Sequence, residues 1–342
     1  MDPFWREKQK KTGLSVENSN LLQSESGGEF VPEKAMIFDV ERFSTEDGPG
    51  IRTSVFFKGC HLHCPWCHNP EGISFVRQLR FAPQKCIGCG KCAEICPVSA
   101  HGMDENGKHT LNRARCKSCM RCAGVCYTGA LEAVGRTVTV EEIMKELLED
   151  EIFYRRSGGG VTATGGEALC QAEFVAELFT ALQARKIHTA IETNLCLPWK
   201  QIEGALEKTD LIMFDLKTMD SALHEQTIGS SNQPVLENIV RLGKMGKQMI
   251  ARTPVIPGFN DSEQEIRRIA RFLQKNAGPN LLGYELLGYH PLGCDKAEQL
   301  SLEQKDFSIP SREKLAILAA AAAETGLDIK TNGHTYIKER KE

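Results

Sequence analysis

Eleven cysteines crowd into the stretch from Cys60 to Cys126, and their spacing limits what this 342-residue chain can fold into. Cys86, Cys89, Cys92 and Cys96 follow C-x2-C-x2-C-x3-C and are trailed by Pro97. Cys116, Cys119, Cys122 and Cys126 repeat the intervals, with Tyr127 in the proline's place. Doubled four-cysteine runs of this kind are thiolate sets for two iron–sulfur clusters; the alternative is a pair of zinc ribbons. The other three, Cys60, Cys64 and Cys67, are spaced C-x3-C-x2-C, one thiolate short of a complete four-cysteine site. If three cysteines hold a four-iron cluster, one iron is left open for a substrate or cofactor. The same logic separates catalytic from structural zinc sites. The bland alternatives for this loop are a zinc knuckle or three unrelated thiols.

Composition narrows the class further. Fourteen cysteines is a high number, yet secreted disulfide proteins of that density are usually shorter and spread their cysteines along the chain. The clustering reads as metal binding in a reducing cytoplasm. A net charge of −3 implies neither a nucleic-acid nor a membrane-surface partner. Met1 to Lys11 is charged without an apolar core, unlike a signal peptide, and no stretch has the length and apolarity of a membrane helix. Residues 1–30, with Ser24-Glu25-Ser26-Gly27-Gly28, are expected to form a disordered tail.

Beyond the tail the pattern is α/β. Met36–Val40 and Ser54–Phe57 are expected strands, separated by the turn-rich Ser44–Arg52. Residues 81–135 form a ferredoxin-like insert. In two-cluster ferredoxins the fourth cysteine of each run ligates the other cluster, so Cys86, Cys89, Cys92 and Cys126 make one set and Cys96, Cys116, Cys119 and Cys122 the second. From Val138 helix and strand alternate. Thr139 caps a helix with Glu142, and strands follow at 160–164, 188–194, 211–217, 249–255 and 281–287. Such alternation predicts parallel pairing with polar residues at the carboxyl rim. About six units are visible, so residues 31–80 and 136–342 are expected to form a partial, open (β/α)6 TIM-like barrel. The helix around 315–323 and a strand near Ile329 would close it. Gly158-Gly159-Gly160 lacks the Gly-Lys-Ser/Thr of a nucleotide loop and reads as a turn.

The three-cysteine loop at the first strand end resembles the signature of the radical S-adenosylmethionine (SAM) superfamily, and Gly165-Gly166-Glu167 resembles its motif for the methionine ammonium group. The chain is more closely similar to the activating enzymes of glycyl radical enzymes, the pyruvate formate-lyase-activating enzyme family, over most of residues 36–295. Asp47-Gly48-Pro49-Gly50-Ile51-Arg52, Asp215-Leu216-Lys217 and Tyr289-His290-Pro291-Leu292-Gly293 carry that resemblance, and Glu192-Thr193-Asn194 takes the place of an aspartate-threonine-asparagine segment. The insert matches the subgroup that serves dehydratases, choline trimethylamine-lyase, and similar lyases and decarboxylases.

The resemblance implies three [4Fe-4S] clusters and SAM as cofactors, the first cluster on Cys60, Cys64 and Cys67. It implies SAM contacts from Trp66, His68, Gly165, Gly166, Glu167, Asp215, Lys217, Arg252 and His290, with Lys217 also counted among the catalytic residues. A monovalent-cation site would use Glu192, Thr193, Met213 and Asp215, and Asp47 would position the partner's glycine loop. The implied partners are a glycyl radical enzyme as protein substrate and a flavodoxin or ferredoxin as reductant. The implied reaction is reductive SAM cleavage to methionine and a 5′-deoxyadenosyl radical, which takes a hydrogen from a glycine Cα. The alternatives are a radical SAM enzyme acting on another peptide or small substrate, and a multi-cluster electron carrier. The insert would either relay electrons or help to dock the partner. Cys170, Cys196 and Cys294 fit no cluster spacing and are expected to be ordinary thiols.

Overall fold

The computed structural model describes residues 34–332 and the backbone of residues 334–335; the expected tail at 1–30 lies outside the described residues. Apolar runs bounded by turns build one twisted sheet. Its strands are β1 (Lys34–Ser44), β2 (Arg52–Phe57), β7 (Arg136–Thr139), β8 (Gly160–Gly165), β9 (His188–Thr193), β10 (Leu211–Asp215), β11 (Gln248–Val255), β12 (Leu281–Gly288), β13 (Ile329–Thr331) and β14 (His334–Thr335). The order is β14-β13-β12-β11-β10-β9-β8-β2-β1-β7. Pairing is parallel from β2 through β13 and antiparallel at the two margins. β7 and β14 sit at opposite ends of that order, so the barrel is open, as the count of units predicts.

The helices between strands start where the sequence supplies caps. Thr139 and Glu142 form a reciprocal capping box on helix 140–148, and Asp220, Ser262 and Ser311 each accept a backbone N–H of the helix they begin. Strand alternation then sorts the side chains. Ile191, Ile212, Phe214, Met249 and Ala251 face the helices and join the main core. Ala190, Leu211 and Met213, with Ile250 against them, form a small separate apolar floor inside the barrel. Polar residues one step further along the same strands, Glu192, Asp215 and Arg252, stand above that floor.

Between β2 and β7 the chain leaves the barrel through β3 (Gln78–Phe81) and returns through β6 (Leu131–Val134), an antiparallel ribbon. This ribbon starts ahead of residue 81, so Gln78 to Arg80 pair with the insert rather than with the barrel. A second hairpin, β4 (His101–Met103) with β5 (His109–Leu111), lies inside the excursion. The cysteine runs are near-copies in backbone as well as sequence: Gly88, Gly90 and Ser99 have positive φ, and so do Ser118, Met120 and Gly129 at matching positions. No helix among the described residues is long and apolar enough to cross a membrane.

Candidate active site

The cysteine loop begins where β2 ends, and backbone hydrogen bonds fix its path. Gly59 N donates to Gly72 O at 2.7 Å and Cys60 N to Ile73 O at 3.0 Å. The Gly165-Gly166-Glu167 turn runs alongside: Gly166 N donates to Phe57 O (2.8 Å) and Glu167 N to Gly59 O (2.9 Å). A Cβ on Gly166 would lie 2.2 Å from Gly72 O, so only glycine lets the two loops meet. Gly293 does the same for the Tyr289–Gly293 motif, since its Cβ would lie 2.2 Å from Cys67 O. Three distant motifs are thus packed backbone against backbone.

They border a cavity of about 1530 Å³. Cys60, Cys64 and Cys67 line it, together with Asp47, Trp66, His68, Gly165, Gly166, Glu192, Thr193, Met213, Asp215, Lys217, Arg252 and His290. Burial pushes all three thiols up, Cys67 to about 12, so ligation by thiolate must release protons. Lys217 Nζ pairs with Asp215 at 2.5 Å. Burial works against its charge, but Asp215 and the Cys64 thiol outweigh burial and raise its pKa. Arg252 lies between Glu192 and Glu285 (2.9 Å), and its Nη2 donates to the Glu46 carbonyl at 3.3 Å. Asp47 accepts hydrogen bonds from Ser44 (2.7 Å) and Ser54, which fixes the turn inside the barrel. Trp66 packs on Phe259 with centroids 4.7 Å apart, and the His68 and His290 rings meet edge-on at 4.3 Å. Burial and the neighbouring His290 hold His68 down at about 4, although its residue surface is exposed, so it is neutral at pH 7.

Two expected sites have side-chain arrangements that the motifs do not foretell. Glu167 does not line the cavity. It is 1% exposed, and its carboxylate accepts from Leu169 N (3.0 Å), Thr193 Oγ1 (2.9 Å) and Asn194 N (2.7 Å). It ties three loop segments together. Burial holds its carboxyl near 7. The side chains of the expected cation site also do not converge. Glu192 is taken by Arg252 and by Thr164 Oγ1 (2.6 Å), Asp215 by Lys217, and the Thr193 hydroxyl turns to Glu167 on the other face of β9. Both carboxylates are engaged by cations in this arrangement.

The structure adds residues that the motifs do not mark. Glu285 is 7% exposed and completes the Arg252 clamp; a lone carboxylate inside the apolar strand 281–287 is a signal for it. Asn194 Nδ2 reaches Cys60 Sγ at 3.8 Å. Buried Glu71 sits 3.9 Å from Arg80 and 4.0 Å from Lys296, which links the cysteine loop, the ribbon and helix 292–299. In the insert, Cys86, Cys89, Cys92 and Cys126 line one small pocket, the set that ferredoxin ligation requires. Cys116 and Cys122, together with Cys92 and Cys126, pack in the apolar cluster around Leu79 and Leu131.

A parallel open barrel with three thiols and a charged rim over one cavity defines an iron–sulfur enzyme of the carboxyl-rim type. Residues 113–273 match the Radical SAM superfamily, and residues 85–130 match the 4Fe-4S dicluster domain. The chain is 40% identical over 316 residues to the benzylsuccinate synthase activating enzyme of Thauera aromatica, covering 90% of this chain and 95% of that one. It is 39% identical over 274 residues to the (2S)-3-sulfopropanediol dehydratase activating enzyme of Klebsiella oxytoca (79% and 86% covered). It is 38% identical over 299 residues to the isethionate sulfite-lyase activating enzyme of Oleidesulfovibrio alaskensis (85% and 96%). A solved domain of a pyruvate-formate lyase-activating enzyme from Bacteroides vulgatus shares 28% identity over 51% of this chain and 98% of that domain, with a TM-score of 0.43. The chain belongs to the radical SAM family of activating enzymes for glycyl radical enzymes.

Proposed function

We propose that Cys60, Cys64 and Cys67 hold a [4Fe-4S] cluster whose fourth iron takes SAM, and that the two insert sets hold two more, three clusters in all. With SAM bound, that cluster supplies the single electron that splits SAM into methionine and a 5′-deoxyadenosyl radical. The radical takes a hydrogen from a glycine Cα of a partner enzyme. The protein's own residues bind, orient and exclude water. The observation that carries this reading is the convergence of three half-buried thiols, the Asp215–Lys217 pair, Arg252 and the His68–His290 pair on one cavity.

Lys217 and Arg252 are fixed cations for the SAM carboxylate and ribose oxygens, held in place by Asp215, Glu192 and Glu285 rather than by water. His68 and His290 offer ring nitrogens as hydrogen-bond partners. Gly165 and Gly166 present backbone to the amino acid end of SAM, a role that Glu167 supports from beneath. Trp66, fixed by Phe259 and Phe307, forms the apolar wall that keeps competing hydrogen donors from a carbon radical. Asp47, anchored by Ser44 and Ser54, positions the incoming glycine loop.

The partner is a lyase, dehydratase or decarboxylase of the glycyl radical class. Relatives named for benzylsuccinate synthase, sulfopropanediol dehydratase, indoleacetate decarboxylase, isethionate sulfite-lyase and choline trimethylamine-lyase all lie between 38% and 40% identity, so likeness ranks none of them first. The reductant is a flavodoxin or ferredoxin and the reaction runs in a reducing cytoplasm, a reading that the clustered cysteine spacing supports. The test is anaerobic reconstitution with iron and sulfide, then dithionite and SAM. The expected product is 5′-deoxyadenosine, followed by a glycine-radical doublet in electron paramagnetic resonance when the right partner is added. No 5′-deoxyadenosine from iron-replete protein would overturn the reading.

A further inference from the structure

The halves of the insert repeat lie thirty residues apart, and the repeat extends beyond the cysteines. Leu79 and Phe81 of β3 correspond to His109 and Leu111 of β5, and His101 and Met103 of β4 to Leu131 and Ala133 of β6. Strand pairing follows the same rule. Phe81 opposes Leu131 as Leu111 opposes His101, and Leu79 opposes Ala133 as His109 opposes Met103. At two equivalent positions, however, the halves differ in chemistry. Cys122 packs with Leu79 and Leu131. Its counterpart Cys92 has His109 and His101 beside it: a ring nitrogen of each and the Cys92 sulfur all lie within 4.8 Å of one another. Cys92 touches the leucine cluster too, so both cysteine runs share that surface. The imidazole pair belongs to one half.

Both rings are buried, His101 to 7% exposure and His109 to 5%. An imidazole buried where a leucine would fit costs free energy unless its nitrogens are paired. His101 Nδ1 and His109 Nε2 pair with each other at 2.9 Å. Phe81 packs on the His109 ring, with centroids 4.5 Å apart, and holds it in place. His109 Nδ1 has no hydrogen-bond partner among the described residues. The same ring lines the pocket of Cys86, Cys89, Cys92 and Cys126. A fixed, buried and unpaired nitrogen beside a set of thiolate ligands is matched by a sulfur acceptor. The proton between the rings then comes from His101, which leaves His109 its own proton on Nδ1.

We infer that His109 Nδ1 donates a hydrogen bond to a sulfur of the Cys86/Cys89/Cys92/Cys126 centre, and that His101 is the residue that positions it. A reduced centre carries one more negative charge than an oxidised one, so a donor at its sulfur favours reduction. The pair therefore raises the reduction potential of that centre. The Cys96/Cys116/Cys119/Cys122 centre has leucines at the equivalent places. This deepens the function proposed above and rests on its cluster assignments.

The test reads potentials rather than SAM cleavage. Full-length iron-replete protein is titrated anaerobically with a europium(II) chelate and mediators, and the clusters are followed by electron paramagnetic resonance. One one-electron step per cluster is expected. His109→Leu installs the residue of the matching position and should move a single step downward. At a fixed potential the reduced-to-oxidised ratio of that centre should fall about tenfold, a shift of about 59 mV for one electron. The remaining steps should stay in place. His109→Asn, whose amide nitrogen can take the place of Nδ1, should recover most of the shift. His101→Leu should move the same step in the same direction by less. If His109→Leu holds less iron, His109→Met replaces it with the same expectation. An unmoved step in the iron-replete variant would overturn the inference. Equal displacement of every step, or no recovery in His109→Asn, would do so too, because a packing defect acts that way. Loss of one cluster's iron from all three His109 variants would make the ring a ligand instead of a donor, and also overturns it. Those outcomes leave the proposed function standing, whereas an insert without iron in the unchanged chain would overturn its cluster assignments and this inference with them.

Discussion

The barrel buries Ile37, Val55, Phe57, Ile191, Phe214 and a long series of apolar neighbours in one continuous core, whereas the insert's own cluster has Leu79, Cys122 and Leu131 as its buried members. The barrel is therefore stable by apolar burial. A segment of the insert's size with so little to bury depends on its metal ligands. Polar chemistry differs in the same way. In the barrel, charges pair inside the cavity, as in Glu192–Arg252–Glu285 and Asp215–Lys217, whereas in the insert the Arg80–Glu132–Lys85 group is more exposed.

The sharpest way to break this contrast is to remove the iron. Chelation under reducing conditions should expose residues 85–130 to protease while the barrel keeps its helical circular dichroism; loss of both together would show that the barrel also relies on metal. Next, Cys64→Ala should lower SAM cleavage by roughly a thousandfold or more while the iron content falls by about one cluster in three, since eight insert thiols keep their spacing. Iron analysis and 5′-deoxyadenosine yield measure the two together. Glu285→Ala leaves Arg252 with half of its clamp and should cost about 3–5 kcal/mol in denaturant unfolding, together with a raised KM for SAM. A near-zero cost would mean that Glu192 alone suffices.

Glu167 gives a pH test. Its carboxyl is raised from 4.5 to about 7 in the folded protein, so the folded state holds the proton more tightly. Its stabilising effect is complete below pH 4.5 and is lost as pH climbs through 7, up to about 3 kcal/mol in all. Glu167→Gln should flatten that slope, as read from urea midpoints across the interval. An unchanged slope would show that its three hydrogen-bond donors already hold it as a carboxylate. Smallest of all, Ser311→Ala removes the cap on helix 312–323 and should cost about 1 kcal/mol without touching either cluster region.

Several parts were legible because their physics is local. The cysteine intervals define which thiols can share a cluster. The Thr139/Glu142 box starts a helix within four residues, and strand-helix alternation calls for parallel pairing. Those features need only neighbours in sequence, and the capping box and the parallel pairing are both seen in the structure. The gathering of Asp215, Lys217, Arg252 and His290 was also readable, since residues at the ends of parallel strands share one rim.

Other features were decided only when distant segments met. Nothing in Gly165-Gly166-Glu167 says that its glutamate will turn away, because the donors that claim it, Thr193 and Asn194, arrive from the next strand. Glu192 reads equally well as a metal ligand or an ion-pair partner until β11 brings Arg252 against it. The ribbon that separates the insert from the cavity joins segments some fifty residues apart. Sequence determined which groups were available, since covalent order sets spacing and alternation. Tertiary structure determined their partners, since a buried charge settles on whichever counter-charge the fold delivers within hydrogen-bond reach.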